Sequence, residues 1–584
     1  MKKIIKYLFL LTGGSFILAS CNDFLDREPL DSVTPDNFFF TENDLAAYAV
    51  KHYNFTTHEG FNAGIWRNDN ATDNQAATDY DKKWIPGQWK VPEAYDNPAS
   101  NDPWYFSAIR EANYFLETVV PRFEKGEIEG SETNIKHYIG EMYFLRAKNY
   151  LSKLETFGDF PIIKNTLPDE SASLIQASKR EPRHKVARFI LEDLDLAIGL
   201  LTNTISGGKN RITQNAALLL KSRAALYEAS WLTYHKGTAL VPGGPGWPGK
   251  AEDIADFNID TEIAFFLKEA KAAAKEVIGN AALVQNTAKD CMDETVKTDE
   301  DKYKMSNPYF AQFSANSLEG YSEILLWRAY NLLDYKIVHS APFYIRVGGN
   351  TGFTRQYVES FLCRDGKPIY ATDQYKGDES LSDVRKNRDL RLQLFLMTSG
   401  ETLSPNVMNG TPDLLPEVPQ LLDITEKRCV TGYQVRKGLS GNWYRDGNTA
   451  IEGCPVYRVA EAYLNYIEAD CMEHNGTSIG SEAAGYWGDL RERAGLPRDY
   501  TVTVNNTDLS KELDWAVYSA GKTVSPLLYN IRRERRCELL AEGLRMLDLK
   551  RWRALDQVKQ FVIQGVNLWE SDLKDKYIDR KSVV

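Results

Sequence analysis

The sequence predicts a mainly α-helical protein in which helical hairpins stack on one another, and three observations carry that prediction. Five segments repeat apolar residues at a helical period. On those faces alanines sit beside large rings, so neighbouring helices can approach closely, as in stacked hairpins of the tetratricopeptide kind. Long stretches that hold much of the Gly, Pro, Asn, Asp and Trp separate the helices.

Ile139, Tyr143, Ala147, Tyr150, Leu154 and Phe157 line one face of a helix that Gly158 can close. The run 186–201 (VARFILEDLDLAIGLL) is a second helix, joined by the Gly-rich turn SGGKNR to a third, lined by Ala216, Leu220, Ala224, Tyr227 and Trp231 and capped by Thr213. Ile263, Leu267, Ala270, Ala274, Val277 and Ala281 repeat the pattern, as do Val456, Ala460, Tyr463, Ile467 and Cys471. No strict repeat period is visible. Residues 57–102, 236–259, 285–322 and 340–455 read as irregular, with short strand-like runs such as Ile324 to Trp327. Loops of this length inside a compact chain tend to be functional. The expected architecture is therefore a helical scaffold presenting an irregular, aromatic-bearing face.

The amino terminus reads as a targeting segment. Lys2, Lys3 and Lys6 precede an apolar run from Leu8 to Leu18 that is too short to span a bilayer. Leu18, Ala19, Ser20 and Cys21 resemble the bacterial lipobox, in which the cysteine receives diacylglycerol and becomes the first residue after cleavage. Residues 1–20 are thus expected to be a lipoprotein signal peptide, and 21–584 a single globular unit tied to lipid through Cys21. Each buried CH₂ of an acyl chain contributes roughly 0.8 kcal/mol and two or more chains anchor stably. No later segment approaches a spanning length.

The 584 residues carry a net charge of −11 and show no basic stripe, which argues against a nucleic-acid surface. Aromatic residues make up 12%, including 12 Trp and 31 Tyr, and such rings serve helical cores and sugar platforms alike. Beyond Cys21, six cysteines (Cys291, Cys363, Cys429, Cys454, Cys471, Cys537) form no CxxC and no compact disulfide framework. Cys471 and Cys537 fall in helical patterns and read as buried free thiols.

Two nucleotide-binding patterns fail on inspection. GPGWPG (244–249) matches GxGxxG, but Pro245 and Pro248 each remove an amide donor and no strand precedes it; Ala251 also stands where a P-loop needs Ser or Thr. AVYSAGKT (516–523) is a relaxed P-loop preceded by DLSKELDW, which reads as a polar helix instead of a strand. No HExxH or zinc-ligand spacing is present, GTSIG (476–480) spells GxSxG but is not read as a nucleophile elbow, and no cofactor or catalytic residue is assigned.

Several stretches, in order over nearly the whole mature length, are similar to one family. CNDFLDREPLDSVTPDNFF at the start, IREANYFLE (109–117), GEMYFLRAKNYLSKLETFGDFPII (140–163), ITQNAALLLKSRAALYEAS (212–230), VESFLCRDGKPI (358–369), NRDLRL (387–392), TGYQVRK (431–437), YRVAEAYLNYIEA (457–469) and IRRERRCELLAEGLRMLDLKRW (531–552) resemble the starch-utilisation-system D-like (SusD/RagB) outer-membrane lipoproteins of Bacteroidetes. The resemblance implies about four tetratricopeptide-like units (about 103–235, 260–284 and 456–552) packed against a variable loop-rich region with a few short strands (about 57–102, 236–259 and 285–455). It further implies a non-catalytic lipoprotein on the outer face of the outer membrane that captures glycan, or for some members peptide. A partner SusC-like TonB-dependent transporter would receive the ligand beneath a hinged lid. Asp23 and Asp26, just after the lipid cysteine, resemble surface-export signals.

Glu534, Glu538 and Glu542 stand at i, i+4 spacing among Arg532, Arg533, Arg535, Arg536 and Arg545, and read as ion pairs along a helix surface, not as catalytic acids. Sugars offer apolar C–H faces and polar edges, so loop rings with polar neighbours are the candidate contacts. These are Trp66, Trp84, Trp89, Trp247 and Trp327, then Tyr309, Tyr321 and Tyr344, with Asn101 and Arg346 as polar partners. Trp104, in WYFSAIREAN, reads as core. A peptide ligand, or a lipid-anchored glycoside hydrolase whose two carboxylates meet only in space, is the alternative reading.

Overall fold

The computed structural model describes residues 38–60, 63–79, 104–287, 307–334, 336–398, 402–404, 413–414, 419–440, 448–558 and 562–577. Cys21, the expected signal peptide, Trp84, Trp89, Asn101 and Cys291 lie outside the described residues. After a short helix α1 (Glu42–Lys51), the helices α2 (Ser107–Glu124), α3 (Glu132–Phe157), α4 (Arg183–Leu200), α5 (Gln214–His235) and α6 (Ile259–Asn280) each pack on the next from α2 onward. Helix α7 (Val459–Glu473) then packs on α6 across the loop-rich stretch and is followed by α8 (Ser481–Arg493), α9 (Pro526–Glu538) and α10 (Arg545–Arg551). The architecture is mainly α, with tetratricopeptide-like helical hairpins in series. No helix among the described residues is long and apolar enough to cross a membrane.

Local chemistry sets the helix ends. The Thr213 hydroxyl accepts from the Ala216 amide, Asn258 accepts from Asp260 and Thr261, and Gly158, at φ 72°, closes α3. Small residues set the spacing between helices. A Cβ on Gly140 of α3 would lie 3.0 Å from Leu201, and Ser222 of α5 donates to the Ala270 carbonyl of α6 at 3.0 Å. The fifth helical pattern starts later than its periodicity predicts: Val456 belongs to strand β4 (Cys454–Arg458), and the helix begins at Val459. DLSKELDW likewise forms 3₁₀ turns instead of a helix, and SAGK is a hairpin turn with Ala520 and Gly521 both at positive φ.

The loop-rich stretch is less irregular than expected. Short helices and the antiparallel pairs β1 (Gln75–Ala77) with β3 (Thr351–Phe353) and β2 (Ile324–Arg328) with β4 gather a second apolar core around Trp66, Tyr309, Phe313, Tyr357 and Phe395. The described cysteines Cys363, Cys429, Cys454, Cys471 and Cys537 are all buried free thiols.

Helix α9 joins the two cores through buried charge. The surface pairing expected from the spacing does not form: Glu534 and Glu538 are buried, and their partners come from distant elements, not from neighbouring turns. Glu538 accepts from Arg391 (3.2 Å), Arg458 (3.2 Å), Arg493 (2.7 Å) and the Tyr309 hydroxyl, and Glu534 from Arg391 (2.5 Å) and Trp487 (3.0 Å). Glu542 lies past the helix end and takes Lys437 and Arg458. Arg536 and Arg545 bind Asp73 and Asp514. Burial alone would raise the Glu538 carboxyl, but Arg493, Arg458 and Arg391 outweigh it and hold it at about 2.

Glu538→Gln is expected to destabilise by about 3–5 kcal/mol, because three guanidinium groups lose their shared buried counter-ion. Loss of the exposed pairs of Arg498 in Arg498→Met is expected to lower stability by only about 0–1 kcal/mol. Urea midpoints of the two variants measure the contrast. Because the folded carboxyl is depressed, its contribution is complete above the ordinary carboxylate range and is lost as pH falls from about 4.5 through about 2. The acid-unfolding transition of Glu538→Gln is therefore expected to be shallower than that of the unaltered chain.

Candidate functional site

The second core buries Trp66, Tyr309 and Tyr344, and a small separate cluster buries Trp327, so most of the described rings that sequence context marked for ligand are core. Trp66 is 1% exposed, with its Nε1 donating to the Ala63 carbonyl (3.1 Å). Tyr309 is fully buried against Glu538, and Tyr344 packs in the same second core. Trp327 is 5% exposed, donates to Glu319 (3.2 Å), and is so closely covered by β4 that a Cβ on Gly453 would lie 2.7 Å from the indole. Tyr321 is half-buried beside Leu318, Ile324 and Trp327. Arg346 is half-buried near Phe343, with its backbone carbonyl held by Gln434. Trp104 packs edge-on against Phe157 and Phe160 beside the helical core, as expected.

Trp247 is different. It is half-buried on the wall of a hollow of about 520 Å³ formed by the end of α3, the start of α4, the end of α5 and the loop 239–253. The loop is a series of tight turns: amide to carbonyl, Thr238 bonds His235, Val241 bonds Thr238, Gly244 bonds Val241 and Trp247 bonds Gly244. Gly243 (φ 74°) and Gly246 (φ 82°) occupy left-handed conformations that other residues adopt only at a cost. A Cβ on Gly249 would strike the indole at 2.2 Å, so glycine there lets the backbone lie against the ring. The Trp247 Nε1 donates to Asp159 Oδ2 at 2.7 Å, while Asp159 Oδ1 accepts from the Arg183 amide. The ring is thereby fixed at its polar edge. No other aromatic ring or cation stacks on it among the described residues.

Trp231 of α5, read from sequence as a helix-face residue, is half-buried and also lines the hollow. Its Nε1 donates to the Leu240 carbonyl, His235 stacks on it at 4.0 Å, and the Arg183 guanidinium lies 4.3 Å from its centroid. Arg183 is itself forked onto buried Glu228 (2.8 Å). Glu155 of α3 also lines the hollow; burial pushes its carboxyl up to about 7, against the opposing pull of Arg223, Lys148 and Lys550. A preset ring with carboxyl, guanidinium and ammonium groups around it can take an apolar face and bond the polar edges of the same molecule. Of the candidate residues that can be placed, the structure puts Trp247 alone into this hollow. The residues that complete it, Trp231, Asp159, Glu155 and Arg183, sit in or beside core helices, where nothing in a helical period distinguishes them.

Residues 23–226 match the family model described as "Starch-binding associating with outer membrane", and residues 296–581 match that of the SusD family. A SusD-like protein P2 of Formosa agariphila is 27% identical over 557 residues, 93% of this chain and 89% of the relative. Among solved structures, a SusD-like protein of Bacteroides fragilis superposes with a TM-score of 0.58 at 22% identity, covering 91% of this chain and 89% of its own. A SusD-like carbohydrate-binding protein of the same species gives 0.57 at 18% identity, covering 89% and 88%. Two family models that together span most of the sequence agree: this chain belongs to the SusD family.

Proposed function

We propose that this protein captures glycan at the outer surface of the outer membrane, held there by lipid on Cys21, and passes it to a partner TonB-dependent transporter without covalent chemistry. The reading is supported by the family, whose amino-terminal model is described as starch-binding and outer-membrane-associated, and by a relative of the same fold named as carbohydrate-binding. The observation that carries it in this chain is Trp247, an indole fixed by Asp159 and Gly249 on the wall of an open hollow, with no ring or cation stacked on it among the described residues. A fixed ring loses little conformational freedom on binding, which favours weakly sticky ligands such as sugars.

The full chain in detergent, incubated with a panel of polysaccharides, is expected to retain at least one and release no reducing ends. Newly released reducing ends would make it a hydrolase, and retention of peptides alone would favour the peptide alternative. Trp247→Ala is expected to weaken retention by about tenfold, the loss of roughly 1.4 kcal/mol of ring contact, with an unchanged melting curve. Trp327→Ala should act in the opposite sense, lowering stability by about 3–5 kcal/mol because its ring is core. Cys21→Ser is expected to move the protein out of outer-membrane fractions and to abolish its labelling on intact cells.

A further inference from the structure

A second hollow, of about 550 Å³, opens between the helical core and the turn after α9, with Asn54, Thr56, Asn68, Lys148, Arg223 and Tyr457 on its walls. Most of its charge is already paired. Arg223 forks onto Glu461 (2.7 and 2.6 Å), and Arg458 is shared among Glu323, Glu538 and Glu542. Lys148 of α3 is the exception. Its Nζ donates to the Asn54 carbonyl (2.5 Å) and lies 5.1 Å from the Phe55 ring, and no carboxylate among the described residues is within 4 Å. Two of its three donors are therefore open to another acceptor. Burial lowers the ammonium to about 8; Glu155 opposes the shift and Arg223 adds to it.

The same two helices, α3 and α5, line both hollows. Lys148 and Glu155 stand seven positions apart on α3, on the same face and about 10 Å apart along the axis. On α5, Arg223, Tyr227 and Trp231 follow at four-residue steps, and the buried Tyr227 hydroxyl between the two ends has no hydrogen-bond partner. Glu155, from the first hollow, is close enough to Lys148 and Arg223 in the second for their charges to act on it.

Resting on the glycan reading, and narrowing it, we propose that the two hollows are the ends of one trough for an oxyanion-bearing oligosaccharide, with a sugar face on Trp247 and a uronate carboxylate or sulfate ester on the Lys148 ammonium. Asn54, Thr56 and Asn68 supply amide and hydroxyl partners for ring hydroxyls at the charged end. The net charge of −11 does not forbid an anion here, since at physiological salt exposed charges beyond about 8 Å are largely screened while the ammonium acts in contact.

The test titrates the full chain in detergent with oligogalacturonate, a sulfated galactan oligosaccharide and neutral oligosaccharides of equal length. Lys148→Met is expected to weaken the acidic ligands by about tenfold or more, as for a lost hydrogen bond to a charged group. Neutral ligands should be unaffected, and Lys148→Arg should restore acidic binding. Which acidic ligand loses more identifies the oxyanion. Acidic affinity is also expected to fall as pH rises through about 7, where Glu155 ionises, and again through about 8, where Lys148 loses its proton. Glu155→Gln should remove the first step alone. Neutral binding with acidic binding unchanged in Lys148→Met overturns this inference and leaves the glycan reading standing; no binding of any glycan overturns both.

Discussion

The buried carboxylate of Glu538 is the interaction on which the arrangement of the molecule depends. Its cations come from three places: Arg391 in a short helix of the second core, Arg458 at the end of β4, and Arg493 at the end of α8. Taking such ions out of water costs several kcal/mol each, and only near-complete pairing offsets it. A shift of either core relative to α9 would strand a buried charge, so the network tolerates one docking geometry. Glu323 repeats the device, holding both Arg458 and Arg493.

That constraint reaches the candidate site directly. Arg458 ends β4 and Glu542 lies in the turn after α9, and both stand on the wall of the Lys148 hollow. In the same turn Gly543, at φ 84°, passes Asn68 so closely that a Cβ would lie 3.1 Å away. The ion network thus fixes the far wall of the trough, and α3 and α5 fix its floor. Only the loop carrying Trp247 is set independently, by its own succession of turns and by Asp159.

The helices were legible because apolar periodicity reports burial along a single element, and the caps at Thr213 and Gly158 are local chemistry. The second core was not. It is assembled from short pieces whose partners lie hundreds of residues apart, so Trp66, like Trp327 in the small cluster with Leu318 and Ile324, reads as a loop platform and proves to be core. The same holds for the charges: i, i+4 spacing suggested that Glu534 and Glu538 pair along their helix, whereas distant arginines claim them. Trp247 was legible for the opposite reason. Glycines and prolines on both sides forbid regular structure around it, and a ring held there has no element to bury it. Lys148 and Glu155 carried no such signal, since polar positions inside a long helical pattern read as solvated face.

The trough has a direction as well as a shape. Its aromatic end offers contact area, which is nearly indifferent to how a sugar is turned. Its charged end offers one ammonium that the free protein holds against both burial and the neighbouring Arg223. An arriving oxyanion restores the missing counter-charge, so part of the gain on binding is relief of a penalty already present without ligand. Area alone would hold many glycans in either sense along α3; adding the half-buried Lys148 ammonium about 10 Å from Glu155 favours chains with an acidic group at that end of the contact. Selectivity of this kind needs no conformational change and no further residue, because rejection of the wrong orientation follows from leaving the same ammonium unpaired.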